Sequence, residues 1–135
     1  WCVLGTLWRS AIKRNRSVPD EPFQIAGNLY YVGSTGITAF LLTGPQGHVL
    51  IDGGYPETAP LIAGSIAKLG FNITDVKALL NTHAHSDHAG GLAALQRASG
   101  AELWVSDGDY DSYYYDEYKC EVVGSEKVTP TEDPK

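Results

Sequence analysis

Residues 76–91 read VKALLNTHAHSDHAGG, and this stretch decides both the fold and the chemistry of the chain. It opens on a short apolar run that predicts a buried strand, and its glycine-rich end leads into helical spacing at Leu92 and Leu95. Between them lie three of the chain's four histidines and one aspartate, in the pattern H-x-H-x-D-H. Imidazole and carboxylate groups are common ligands of Zn²⁺ in proteins. The stretch therefore predicts a metal-binding loop at the end of a strand.

Other short apolar runs, separated by turn residues, predict further strands. They are residues 23–32 (one strand or a bent pair broken at Gly27-Asn28), 37–42, 48–51 and 102–105, with a hairpin turn at 43–47. Two segments show helical spacing: one that Thr58 caps and Gly70 ends, and one after the histidine loop that ends at Gly100.

From residue 47 onward the elements alternate as strand, helix, strand, helix, strand. This order predicts an α/β fold with parallel strands and right-handed crossovers. Ligands of such sheets bind beyond the carboxyl ends of the strands. Because Asp52 and His83 both follow predicted strands, we expect them at the same edge.

Length, composition and charge limit the class of protein. A chain of 135 residues with 43% hydrophobic residues predicts one domain of modest core. No apolar run reaches the roughly 20 residues that cross a bilayer, and a net charge of −6 argues against nucleic acid as a partner. Residues 1–22 are predicted to be an irregular lead, and 110–135 an acidic, tyrosine-rich tail that is irregular or disordered. Whether Cys2 and Cys120 pair stays open.

The histidine loop can serve two ions. Side chains alternate along an extended backbone, so His83 and His85 point the same way and can meet one ion. Asp87 and His88 lie at the entry to the following helix and can turn toward a second ion. The alternative is a polar loop whose histidines are merely solvated. His48 is interpreted as an ordinary strand or hairpin residue.

Residues 82–91, THAHSDHAGG, match the signature of the metallo-β-lactamase superfamily, and residues 23–109 resemble the amino-terminal half of a subclass B3 metallo-β-lactamase. The similar flanking stretches are NLYYVG at 28–33, TAFLL at 38–42, DGG at 52–54 and WVSDGD at 104–109. The resemblance implies part of an αβ/βα sandwich, mainly its first sheet with the helices, without the second half.

The resemblance also implies a site with two zinc ions. His83 and His85 would bind the first ion, Asp87 and His88 the second, and Asp52 would orient a ligand through a hydrogen bond. A metal-bound hydroxide would hydrolyse the amide bond of a small-molecule β-lactam, and Asp87 would hold and orient that water. A protein of this kind would be periplasmic or secreted.

The same resemblance leaves the ligand set incomplete. Each zinc of the family takes one more histidine from the later half of the domain, so this chain carries four of six ligands and is expected to bind metal weakly at most. Two alternatives therefore stay open: another hydrolase of the superfamily, acting on a thioester or lactone, and an inactive truncated fragment. Half a sandwich would leave an apolar sheet face uncovered, so we expect the chain either to associate with a partner, a second copy of itself included, or to remain loosely packed.

Overall fold

The computed structural model describes residues 18–106 and 108–109. These residues form one six-stranded sheet whose strands lie side by side in chain order. The strands are β1 (Phe23–Ala26), β2 (Leu29–Tyr31), β3 (Phe40–Leu42), β4 (His48–Ile51), β5 (Val76–Leu80) and β6 (Glu102–Trp104). The pairs from β1 to β4 are antiparallel, and β4, β5 and β6 are parallel. The predicted α/β class, with parallel strands after residue 47, is confirmed.

Three helices connect the parallel strands: α1 (Ala59–Lys68), α2 (Ser86–Ala89) and α3 (Leu92–Ser99). The predicted glycine stops are correct, because Gly70 and Gly100 take φ of +86° and +72° after α1 and α3. Phe71 N also donates to Ile66 O at 3.1 Å, which closes the end of α1. In the described part of the chain, no helix is both long and apolar enough to span a bilayer.

The predicted start of α1 is correct, because the helix begins at Ala59 directly after Thr58, but the Thr58 side chain makes no capping hydrogen bond. Thr58 lies in a 3-10 turn (Pro56–Thr58) with helical φ and ψ. Its buried hydroxyl donates instead to Tyr55 O at 2.8 Å. The third strand begins at Phe40 rather than at 37, because Ile37 is engaged in a local bridge with Ser34. The segments 1–17 and 110–135, with Cys2 and Cys120, lie outside the described residues.

The core lies on one face of the sheet. Leu41, Leu50, Leu79 and Leu103 are directly opposite one another on β3, β4, β5 and β6, and all are fully buried. Side chains of α1 and α3 pack on this row; they include Ile62, Ile66, Leu92 and Leu95. Burial of a leucine contributes about 1.5–3 kcal/mol, so this layer holds the parallel strands and both helices together.

The opposite face carries a second apolar row. Phe40, Ile51, Leu80 and Trp104 are again opposite one another on β3 to β6. Leu80 is 39% exposed and Trp104 is 41% exposed. The face that the sequence predicted to be uncovered is therefore partly exposed within the described residues, and self-association through it stays a prediction.

Candidate metal centre

The site forms where β4 and β5 end. Asp52 follows β4 and Asn81 follows β5, and Asp52 N donates to Leu80 O at 2.8 Å. Asn81 N donates to Trp104 O at 3.1 Å, which extends the same edge to β6. The histidine loop therefore leaves the sheet at the carboxyl ends of parallel strands, where ligands of such sheets bind.

Glycines let the backbone of the loop after β4 contact the backbone of α2 and of the loop that follows it. Gly53 N donates to His88 O at 2.7 Å, and Gly91 N donates to Gly54 O at 2.9 Å. A Cβ atom at Gly91 would overlap Gly53 O. The close approach therefore requires a residue without a side chain at Gly91, and it fixes the position of α2 relative to Asp52.

Asp52 is a buried carboxylate at the centre of the site, with 3% of its surface exposed. Its Oδ1 accepts from Asn81 Nδ2 at 3.0 Å and from Thr82 N at 2.8 Å. Its Oδ2 lies 2.8 Å from both Thr82 Oγ1 and His88 Nδ1. A buried carboxylate needs such donors to offset its desolvation. Asp52 also has φ of +64°, a strained conformation for a residue other than glycine.

The structure brings the three loop histidines together. The ring centroids of His83 and His85 lie 4.6 Å apart, as the alternation of an extended backbone predicts. The centroids of His83 and His88 lie 4.2 Å apart, so the His88 ring also lies against the His83 ring. Asp87 Oδ2 lies 4.0 Å from His88 Nε2. The division into two metal pairs, and the role of each residue as a zinc ligand, stay predictions.

The donor set fits zinc in its chemistry. His88 Nδ1 is occupied by Asp52, so the ring presents Nε2 outward, which is how a metal-binding histidine is commonly held by a carboxylate. The number of ligands that the described residues supply is below that of a complete zinc site. Among the described residues, no group of three or more histidine, cysteine, aspartate or glutamate side chains is arranged to hold a metal ion.

Three further residues of the site were missed from the sequence. Asn81 and Thr82 bind Asp52, and their place directly after β5 was a usable signal. Asp109 Oδ1 accepts from Ala84 N at 3.3 Å and steadies the middle of the histidine loop. Asp109 lies 25 positions after Ala84, and no local sequence pattern connects the two residues. His48 lies at the start of β4, at the opposite end of that strand from Asp52, and accepts from Gly44 N at 3.3 Å.

A protein-family model described as the metallo-beta-lactamase superfamily matches residues 32–134. The chain belongs to the metallo-beta-lactamase superfamily. The match extends past residue 109 into the segment that lies outside the described residues.

Solved metallo-beta-lactamases, a subclass B3 enzyme among them, are similar to the described fold, as the sequence resemblance predicted. Rm3 metallo-beta-lactamase is 50% identical with a TM-score of 0.74, over 76% of this chain and 38% of its own. MEM-A1, a subclass B3 metallo-beta-lactamase from a soil metagenome library, is 52% identical with a TM-score of 0.71, over 72% of this chain and 37% of its own. SMB-1 bound to 2-mercaptoethanesulfonate is 45% identical with a TM-score of 0.72, over 74% and 39%.

Curated relatives cover less of the chain. Metallo-beta-lactamase domain-containing protein 1 of Homo sapiens is 38% identical over 55% of this chain and 27% of its own length. Exodeoxyribonuclease WalJ of Streptococcus pneumoniae is 30% identical over 70% of this chain and 34% of its own length. Hydroxyacylglutathione hydrolase of Jannaschia is 37% identical over 53% and 26%. The chain thus spans about a third or less of these relatives.

Proposed function

We propose that this chain contributes the amino-terminal part of a zinc-dependent site that hydrolyses the amide bond of a small-molecule β-lactam. The choice of substrate is supported by the breadth of the similarity to solved subclass B3 enzymes, with 52% identity over 72% of this chain for MEM-A1. The human relative, by comparison, reaches 38% over 55%. A periplasmic or secreted location forms part of the proposal.

One observation carries the metal centre: the buried Asp52 carboxylate lies 2.8 Å from Nδ1 of a loop histidine, His88. A merely solvated polar loop needs no buried charge behind it. A histidine that binds metal does need such a partner, because the partner sets which ring nitrogen is free. The geometry therefore favours the metal centre over the solvated loop.

Each residue of the loop has a part in this proposal. His83 and His85 would hold one zinc ion, and Asp87 and His88 the other. Zinc, when bound, supplies a Lewis acid and lowers the pKa of water to about 7. Asp87 would orient the attacking water, while Asp52 holds the His88 ring in place. The remaining metal ligands would come from residues beyond these four, and full activity belongs to a protein that supplies them.

A second candidate is a hydrolase of the same superfamily that acts on a thioester or a lactone. The similarity to hydroxyacylglutathione hydrolase favours this candidate. Both kinds of hydrolase share the histidine loop, so the loop does not distinguish them. Only an assay of each substrate decides between the two candidates.

The test is hydrolysis of a chromogenic cephalosporin by the 135-residue chain in the presence of zinc, beside a chromogenic thioester. Because these residues supply only part of the expected ligand set, we expect slow cephalosporin turnover that a chelator and Asp87→Ala abolish. Asp75→Ala is the matched control, because this exposed aspartate precedes β5 at the opposite end of that strand, and it should retain turnover. Turnover of the thioester alone would support the second candidate. Hydrolysis of neither substrate would support an inactive fragment.

A further inference from the structure

The Thr82 hydroxyl lies within hydrogen-bond distance of both the buried carboxylate and the first histidine of the loop. Its Oγ1 lies 2.8 Å from Asp52 Oδ2 and 3.1 Å from Asp52 Oδ1. The same oxygen lies 3.1 Å from His83 Nδ1. The backbone N of Thr82 donates separately to Asp52 Oδ1 at 2.8 Å, so the residue is anchored whether or not it carries a hydroxyl.

The number of hydrogens decides the direction of these bonds. A carboxylate accepts and does not donate, and a hydroxyl has one hydrogen. The hydrogen of Thr82 Oγ1 is therefore directed to Asp52, and toward His83 the hydroxyl can only accept. The Nδ1 atom of His83 must then carry the hydrogen, which leaves the lone pair on Nε2.

The same reasoning applies to His88. Its Nδ1 lies 2.8 Å from Asp52 Oδ2, so it also carries the hydrogen and leaves Nε2 free. One buried carboxylate thus sets the tautomer of two rings, that of His88 directly and that of His83 through Thr82. The strained backbone of Asp52, with φ of +64°, persists because the surrounding bonds hold it.

We propose that Thr82 is a positioning residue that holds His83 in the Nδ1–H tautomer, with Nε2 presented for a metal ion. The proposal rests on the proposed function only in naming zinc as that ion. The alternative is a purely structural role, in which Thr82 stabilises the turn after β5 and has no effect on the ring.

The test compares Thr82→Val, which keeps the shape and loses the hydroxyl, with Thr82→Ser, which keeps the hydroxyl. Imidazole nitrogen chemical shifts of the metal-free chain, measured by two-dimensional NMR in mildly alkaline buffer, report which ring nitrogen carries the hydrogen. His83→Gln identifies the His83 signals. We expect the Nδ1–H pattern in the unmodified chain and in Thr82→Ser. In Thr82→Val we expect the Nε2–H form, which a solvated imidazole favours.

Affinity for Co²⁺, followed by its visible absorption, gives a second readout. Loss of an orienting partner lowers metal affinity about 10-fold or more, so Thr82→Val should bind Co²⁺ about 10-fold more weakly than Thr82→Ser. An unchanged His83 pattern in Thr82→Val, or equal loss of affinity in both variants, would overturn the proposal. The tautomer measurement uses neither metal nor substrate, so absence of β-lactam hydrolysis would refute the proposed function alone.

Discussion

Substitution of Gly91 by alanine perturbs the contact that places the histidine loop beside Asp52. The new Cβ would overlap Gly53 O, and it would lie 3.0 Å from Tyr55 O. Both are backbone atoms, so neither can rotate away as the end of a side chain would. Relief requires that the loop after β4 and the start of α3 move apart, which would break the bond from Gly91 N to Gly54 O.

The expected loss is about 3 kcal/mol, at the upper end of the range for overpacked interiors. Gly64→Ala provides the matched control, because Gly64 lies within α1 with open space where a Cβ would stand. There the same chemical change should stabilise the chain by about 0.5–1 kcal/mol through helix propensity. The two substitutions are identical in composition, and we expect them to have opposite signs.

Urea unfolding followed by tryptophan fluorescence measures both effects. With a slope of about 1.5 kcal/mol per molar urea, Gly91→Ala should lower the midpoint by roughly 2 M. If the single variant unfolds without denaturant, the substitution is measured in the Gly64→Ala background. A midpoint for Gly91→Ala equal to that of the unmodified chain would refute the proposed backbone contact, as would a Gly64→Ala variant that is the less stable of the two.

Three further predictions concern the loop, the exposed sheet face and the response to alkali. His85→Ala should remove most of the Zn²⁺ affinity measured by equilibrium dialysis, whereas His48→Ala, at the far end of β4, should leave it unchanged; equal effects would place the ion elsewhere. If the partly exposed row that contains Leu80 and Trp104 drives self-association, Leu80→Lys should lower the sedimentation coefficient at high protein concentration. Lys77→Leu exchanges the same two residue types in the opposite direction at an exposed position of the same strand, and it should not lower the sedimentation coefficient. Burial, and secondarily the charge of Asp20, raises the pKa of Tyr31 above 10.0. The folded state therefore favours the neutral phenol, and this contribution to stability is present below pH 10 and is lost as pH rises through the raised pKa; Tyr31→Phe should show a smaller loss of unfolding free energy in that range.

The sequence was sufficient to predict the order of the elements from residue 47 onward, because that order depends on local periodicity. The short apolar runs at β4 and β5 and the glycine stops of α1 and α3 are properties of neighbouring residues. The local hydrogen bonds were less predictable. Thr58 directly precedes α1, as predicted, but it is buried in a 3-10 turn and its hydroxyl donates to Tyr55 O instead of capping the helix. Tertiary packing decided that position.

The loop itself shows the same division. The sequence by itself determined that His83, His85, Asp87 and His88 lie within six positions after a strand, and this spacing is enough to predict a metal centre and the superfamily. Only the tertiary structure decided how the loop is held. Asp52 lies 30 positions before Thr82 in the chain, and it reaches Thr82 and His88 because parallel pairing of β4 with β5 brings the carboxyl ends of both strands to one edge. Hydrogen bonds across that edge depend on sheet register, which no local pattern in the sequence specifies.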